Sequence, residues 1–189
     1  MALKLKIIIG STRPGRVGPV FADWFAGLAR ESGKFDVTLV DLAELDLPLL
    51  DEPKHPITRD YQHPHSKRWS AIVDEADAYV FVTPEYDSFP PAALINAIQY
   101  LVHEWRRKPA GIVSYGGVSG GLRASQELRQ ILTTLSIMPL PQTVPVPFFP
   151  NFLDEGTVQP NDKMKEGATL LLNELAEWAE ALKQMRQAA

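Results

Sequence analysis

The 189 residues are 45% hydrophobic and 22% charged, with a formal net charge of −4, a composition expected of one soluble globular domain spanning residues 1–189. That balance gives no whole-chain field to attract nucleic acid, no apolar run approaches a membrane span, and the opening MALKLKIIIGSTRPG is not expected to act as a signal peptide. The absence of cysteine excludes disulfides, thiolate catalysis and cysteine-ligated metals, and a cytoplasmic location is expected.

In chain order, a first strand is predicted over Lys4 to Ile9. Val17, Val20, Phe21, Trp24, Phe25 and Leu28 then recur at helical spacing, so Val17 to Glu31 should bury one stripe, with Pro19 tolerated in the first turn. FDVTLVD, Phe35 to Asp41, alternates apolar and polar residues and reads as a strand at or near a sheet edge. A weaker helix is predicted over Ser66 to Asp74. Strands over Ala78 to Thr83 and Gly111 to Tyr115 are almost continuously apolar, as in the centre of a parallel sheet. Leu94, Ile98, Leu101, Val102 and Trp105 mark one helix between those strands. Leu122, Leu128, Ile131, Leu132 and Leu135 mark the next. MPLPQTVPVPFFPNF holds five prolines, leaving a short last strand near Gln142 to Val146 and then an extended loop. A long helix follows through Met164, Ala168, Leu171, Leu172, Leu175 and Leu182. Alternating strands and helices imply an α/β domain with right-handed crossovers and a parallel sheet, whose ligands sit beyond the carboxyl ends of the strands.

Three loops follow strands at that end. GSTRPGRVG, residues 10–18, combines glycines, hydroxyls and two guanidinium groups at a helix N-terminus, the chemistry that holds an anion. It is neither a GxGxxG fingerprint nor a Walker A loop. TPEYDSFPPAAL, residues 83–94, is a rigid polar-aromatic loop able to support a planar ring. SYGGVSGGLRA, residues 114–124, has glycines dense enough for a ligand to approach the backbone. Within it Gly117-Val118-Ser119-Gly120-Gly121 matches a nucleophile elbow, but all four histidines (His55, His63, His65 and His103) precede Ser119, which is the wrong order for that hydrolase class. His63-Pro64-His65 is read as solvated surface rather than a metal site, and Phe148, Phe149 and Phe152 as partner contacts or core plugs.

Together these loops, in this order and followed by a long C-terminal helix, resemble the NADPH-dependent FMN reductase family, whose relatives include quinone and chromate reductases and azoreductases. The resemblance runs from Lys4 to about Leu135. It implies a flavodoxin-like three-layer α/β/α sandwich with a five-stranded parallel sheet in the order 2-1-3-4-5. It also implies FMN as cofactor and NADPH or NADH as co-substrate. The FMN phosphate would lie on Ser11, Arg13, Arg16, Val17 and Gly18. The ring would lie against Pro84, Glu85, Tyr86, Asp87 and Ser88 and be flanked by Ser114, Tyr115, Gly116 and Gly117. No side chain is required as an acid–base catalyst, because the flavin carries the chemistry. Hydride would pass from NAD(P)H by a ping-pong cycle to a quinone, free flavin, azo or similar acceptor, in a homodimer or homotetramer. Three departures stand out: Asp87-Ser88 where many members have Asn-Gly, Ile95 where a lysine is common, and no additional serine or asparagine near Gly18. An electron-carrier flavodoxin that takes no electrons from NAD(P)H, or a non-catalytic homologue, are the alternatives on the same fold.

Overall fold

The computed structural model describes residues 2–188. Its main sheet has five parallel strands: β1 (Leu3–Ile9), β2 (Phe35–Asp41), β3 (Ala78–Pro84), β4 (Pro109–Tyr115) and β5 (Met138–Val146). They lie in the order β2-β1-β3-β4-β5, as the resemblance implies. The polar alternation of Phe35 to Asp41 is explained by position, since β2 is an edge strand. β3 and β4 are buried along their whole length.

The pleat sends alternate residues to two cores. Leu5, Ile7, Ile9, Val80 and Val82 meet α1 (Gly18–Glu31) and α6 (Asp162–Gln187) on one face. Ile8, Tyr79, Phe81 and Ile112 meet α2 (Leu42–Leu45), α3 (Pro64–Asp74), α4 (Ala92–Gln99) and α5 (Leu122–Thr134) on the other. The result is the expected three-layer sandwich. A small antiparallel pair, β6 (Leu153–Asp154) and β7 (Thr157–Val158), lies in the segment the sequence gives only as extended loop.

Two elements differ from expectation. The helix predicted through Trp105 stops at Gln99, followed by a 3-10 turn at His103–Trp105. Two buried indoles account for the stop: Trp69 Nε1 donates to the Ala97 carbonyl at 2.7 Å and Trp105 Nε1 to that of Ile98 at 3.1 Å, satisfying carbonyls at the helix end. β5 begins at Met138 rather than Gln142 despite three internal prolines. It is the other edge strand, where a missing donor costs little. Arg129 on α5 donates to the Pro139 and Pro141 carbonyls, and the register against β4 shifts between Ala110 and Ile112.

Candidate functional site

Strand register brings the three loops together. Thr83 and Pro84 lie opposite Ser114 and Tyr115, the Glu85 amide donates to the Tyr115 carbonyl at 3.2 Å, and the Gly10 amide donates to the Val82 carbonyl at 2.9 Å. Between them opens a cleft of about 190 Å³, lined by Arg13, Arg16 and Val17 on one side, Pro84 to Tyr86 on another, and Tyr115 to Gly117 with Phe149 on the third. Among the described residues, the backbone N–H groups of Thr12, Arg13, Gly15, Val17 and Gly18 have no main-chain acceptor. These donors precede and open α1, where exposed N–H groups and the helix dipole favour negative charge.

The loop's side chains divide the work. Arg13 is exposed, has no carboxylate at ion-pair distance among the described residues, and lies 5.9 Å from the centroid of the Tyr86 ring. Arg16 is differently placed. It forms a two-pronged pair with Asp41, each nitrogen–oxygen distance being 2.6 Å, and also donates to the Ser11 carbonyl at 2.8 Å. Ser11 is fully buried and its hydroxyl accepts from the Tyr115 hydroxyl at 3.4 Å. A Cβ at position 18 would run into Ser11 Oγ and lie 3.1 Å from the Tyr115 hydroxyl, which makes glycine a requirement there. Burial pushes the Tyr115 phenol up to about 12, so it stays a neutral donor at neutral pH.

The second loop is a turn between two reciprocal 2.9 Å backbone hydrogen bonds joining Tyr86 and Phe89. Both central residues have positive φ, 49° at Asp87 and 73° at Ser88, as in a type I′ turn. Glu85 faces the third loop. Its carboxylate accepts from the Ser119 hydroxyl at 2.7 Å and from the amide and guanidinium of Arg123 at 3.1 and 3.2 Å. Burial pushes this carboxyl up, but those hydrogen bonds outweigh it and hold it below the usual carboxylate range. Ser119 therefore serves a carboxylate, and the nucleophile-elbow pattern has no imidazole behind it. Ser114 lies fully buried below the glycine loop, donating to the Gly120 carbonyl at 2.9 Å.

Sequence reasoning missed two participants. Asp41 ends β2 and has no motif of its own. Phe149, which the sequence leaves as a partner contact or a core plug, packs its ring 5.5 Å from Tyr115 and 6.4 Å from Phe21 and forms a cleft wall. Phe152 packs against the core from a partly buried position, and Phe148 stays 54% exposed. His63 and His65 stack 5.1 Å apart beside Asp51 at the start of α3, and neither lines the cleft.

The strand order and the helices on both faces of the sheet define a flavodoxin-like α/β protein. A flavodoxin from Streptococcus pneumoniae has the same fold, with TM-score 0.60 at 17% identity over 92% of this chain and 98% of that one. The profile described as NADPH-dependent FMN reductase matches residues 3–151, and the chain belongs to that family of oxidoreductases. An NAD(P)H-dependent FMN reductase of Schizosaccharomyces pombe is 39% identical over 160 residues, which is 83% of this chain and 79% of the relative. A quinone reductase of Pseudomonas putida is 29% identical over 91% of this chain and 92% of its own. The flavoenzyme NAD(P)H:(acceptor) oxidoreductase FerB of Paracoccus denitrificans shares the fold with TM-score 0.76 at 20% identity, over 95% and 98% of the two chains.

Proposed function

We propose that the cleft holds FMN and that the protein is an NAD(P)H-dependent reductase acting through it. The carrying observation is the set of backbone donors at Thr12, Arg13, Gly15, Val17 and Gly18 beside the Arg13 side chain, which has no carboxylate partner among the described residues, opening onto a cleft walled by aromatic rings and glycine backbone. Such a site fits a phosphate joined to a planar ring. Bound FMN would supply the redox chemistry, relaying the two electrons and one proton of a hydride from NAD(P)H to a quinone, free flavin or azo acceptor, with the second proton coming from water. Arg13 neutralises the phosphate, Gly18 and Ser11 keep the loop tight, and Tyr115 with Phe149 keeps water from one side of the ring. Tyr86 to Ser88 and Gly116-Gly117 present backbone groups to the ring edge.

The reading extends to a homodimer, supported by Phe89, Val118 and Phe148, which are 57, 72 and 54% exposed on the loops at this end of the sheet. None of the described helices is long and apolar enough to cross a membrane.

The test is the visible spectrum of protein mixed with FMN and freed of excess, then given NADPH without oxygen. Retained flavin that bleaches at once is the expected outcome, with parallel lines when donor and acceptor are both varied. Retained flavin that neither NADPH nor NADH bleaches would make the protein an electron carrier. Loss of all flavin would overturn the reading.

A further inference from the structure

Both arginines of GSTRPGR look like phosphate ligands in the sequence, but the structure gives them different circumstances. β1 and β2 are paired in register from Leu3 opposite Phe35 to Ile9 opposite Asp41, so Asp41 ends its strand beside the start of the anion loop. Its carboxylate faces Arg16 squarely, both nitrogen–oxygen distances being 2.6 Å, and the same carboxylate accepts from the Ala43 amide at 2.9 Å to start α2. The pair is largely withdrawn from water, with side chains 18 and 12% exposed. The guanidinium nitrogen that meets Asp41 Oδ1 also holds the Ser11 carbonyl at 2.8 Å. Arg16 thus joins Ser11, near the start of the loop, to the end of the neighbouring strand.

We propose that Asp41 is a positioning residue for the anion loop. Paired with Arg16 it cancels that charge and uses the guanidinium as a rigid brace, which holds the backbone donors of residues 12–18 in their cradle. Arg13 is then the loop's one net cation toward a bound phosphate among the described residues. This rests on the reading of the cleft as an FMN site. It differs from the expectation that Arg16 serves the phosphate through its charge. A planar fork is what the bracing requires, because a guanidinium offers two parallel N–H donors to the carboxylate and a further one to the carbonyl in one rigid plane, which the point charge of an ammonium does not.

The experiment measures FMN and riboflavin affinity side by side for the wild type, Asp41→Asn, Arg16→Lys, Arg16→Gln and Arg16→Gln/Asp41→Asn. The ratio of the two affinities reports the phosphate alone, so a general loss of folding, which weakens both flavins, leaves it unmoved. Asp41→Asn is expected to lower the FMN-to-riboflavin ratio about tenfold, a loss of about 1.4 kcal/mol of phosphate binding. Arg16→Lys, which keeps the charge but loses the fork, is expected to lower it as much. The double variant is expected to be no worse than Asp41→Asn, since the two changes remove one brace. A ratio that rises in Asp41→Asn, or is kept in Arg16→Lys, would show Arg16 acting as a cation and overturn the proposal. A double variant far below Asp41→Asn would overturn it too, by showing Arg16 to be a direct ligand. Wild-type protein that retains neither flavin would overturn the FMN reading itself, and this role for Asp41 with it. On flavin-free protein, unfolding of the same variants separates the cases, because a coupled pair destabilises non-additively whether or not flavin binds.

Discussion

The Glu85 carboxylate receives the Ser119 hydroxyl at 2.7 Å and the Arg123 amide at 3.1 Å, so a residue of one loop lining the cleft fixes the start of the helix behind another. The contact joins the loops after β3 and β4 and places a negative charge at the N-terminus of α5, where the helix dipole favours it. Glu85→Gln keeps the shape and removes the charge, and should destabilise the protein by about 1–2 kcal/mol at pH 7. The carboxyl is held below its ordinary range in the folded state, so its contribution is fully present above the unfolded value and is lost as pH falls through the folded one. The gap between wild type and Glu85→Gln in urea unfolding should therefore close in acid, below about pH 4. A gap that stays constant into acid would remove the charge argument.

The turn at Asp87-Ser88 carries strain that its sequence does not relieve. Both residues hold positive φ, and serine tolerates that less well than aspartate or glycine. Ser88→Gly should raise stability by about 1 kcal/mol, visible as a higher melting temperature, with the Tyr86–Phe89 turn unchanged. Asp87→Asn should be close to neutral in stability, since both side chains accept the left-handed conformation. It also removes a negative charge from the loop proposed to face the ring and should make the bound flavin easier to reduce. Potentiometric titration of the FMN complex checks the second effect, and an unchanged potential would place Asp87 too far from the ring to matter.

The strands and the three loops were legible because each depends on local pattern: apolar runs for β3 and β4, alternation for edge strand β2, and glycine density at 116–121; the strand order followed from the family resemblance. What escaped was set by long-range partners. The end of α4 is fixed by Trp69 and Trp105 indoles reaching its carbonyls, and no sequence period announces that. The length of β5 depends on its being an edge strand braced by Arg129, although five nearby prolines argue for a break. At the site, the differing circumstances of Arg13 and Arg16 turn on Asp41, 25 residues beyond Arg16 and adjacent only through strand register. Phe149 escaped because an aromatic between prolines reads as surface or plug until its contact with Tyr115 is seen.

Arg13 faces solvent beside the cradle and has no anionic partner of its own among the described residues. Arg13→Gln should cost FMN about 1.5–3 kcal/mol of affinity, the range for a hydrogen bond to a charged group, and should leave riboflavin nearly untouched. Because the lost contact is a net charge near the surface, the penalty should shrink as salt is raised from low ionic strength to 1 M. Fluorescence titration with both flavins at two salt concentrations measures this. An equal loss for riboflavin would move Arg13 from the phosphate to the ring.

Phe149 makes the complementary case. Its ring closes one wall of the cleft at 5.5 Å from Tyr115, on the side where a flavin ring rather than its phosphate would lie. Tyr115 is in turn stacked on Phe21 at 4.9 Å, so the wall is anchored in the core through α1. Phe149→Ala should weaken FMN and riboflavin by the same factor, about tenfold if 1–2 kcal/mol of aromatic contact is lost, with no dependence on salt. Phe149→Leu keeps most of the apolar area without the ring's shape and should fall between. The pair Arg13→Gln and Phe149→Ala then assigns the two ends of the ligand independently. If Phe149→Ala altered only FMN, the phosphate would lie on the wrong side of the cleft and the orientation proposed for the ring would have to be reversed.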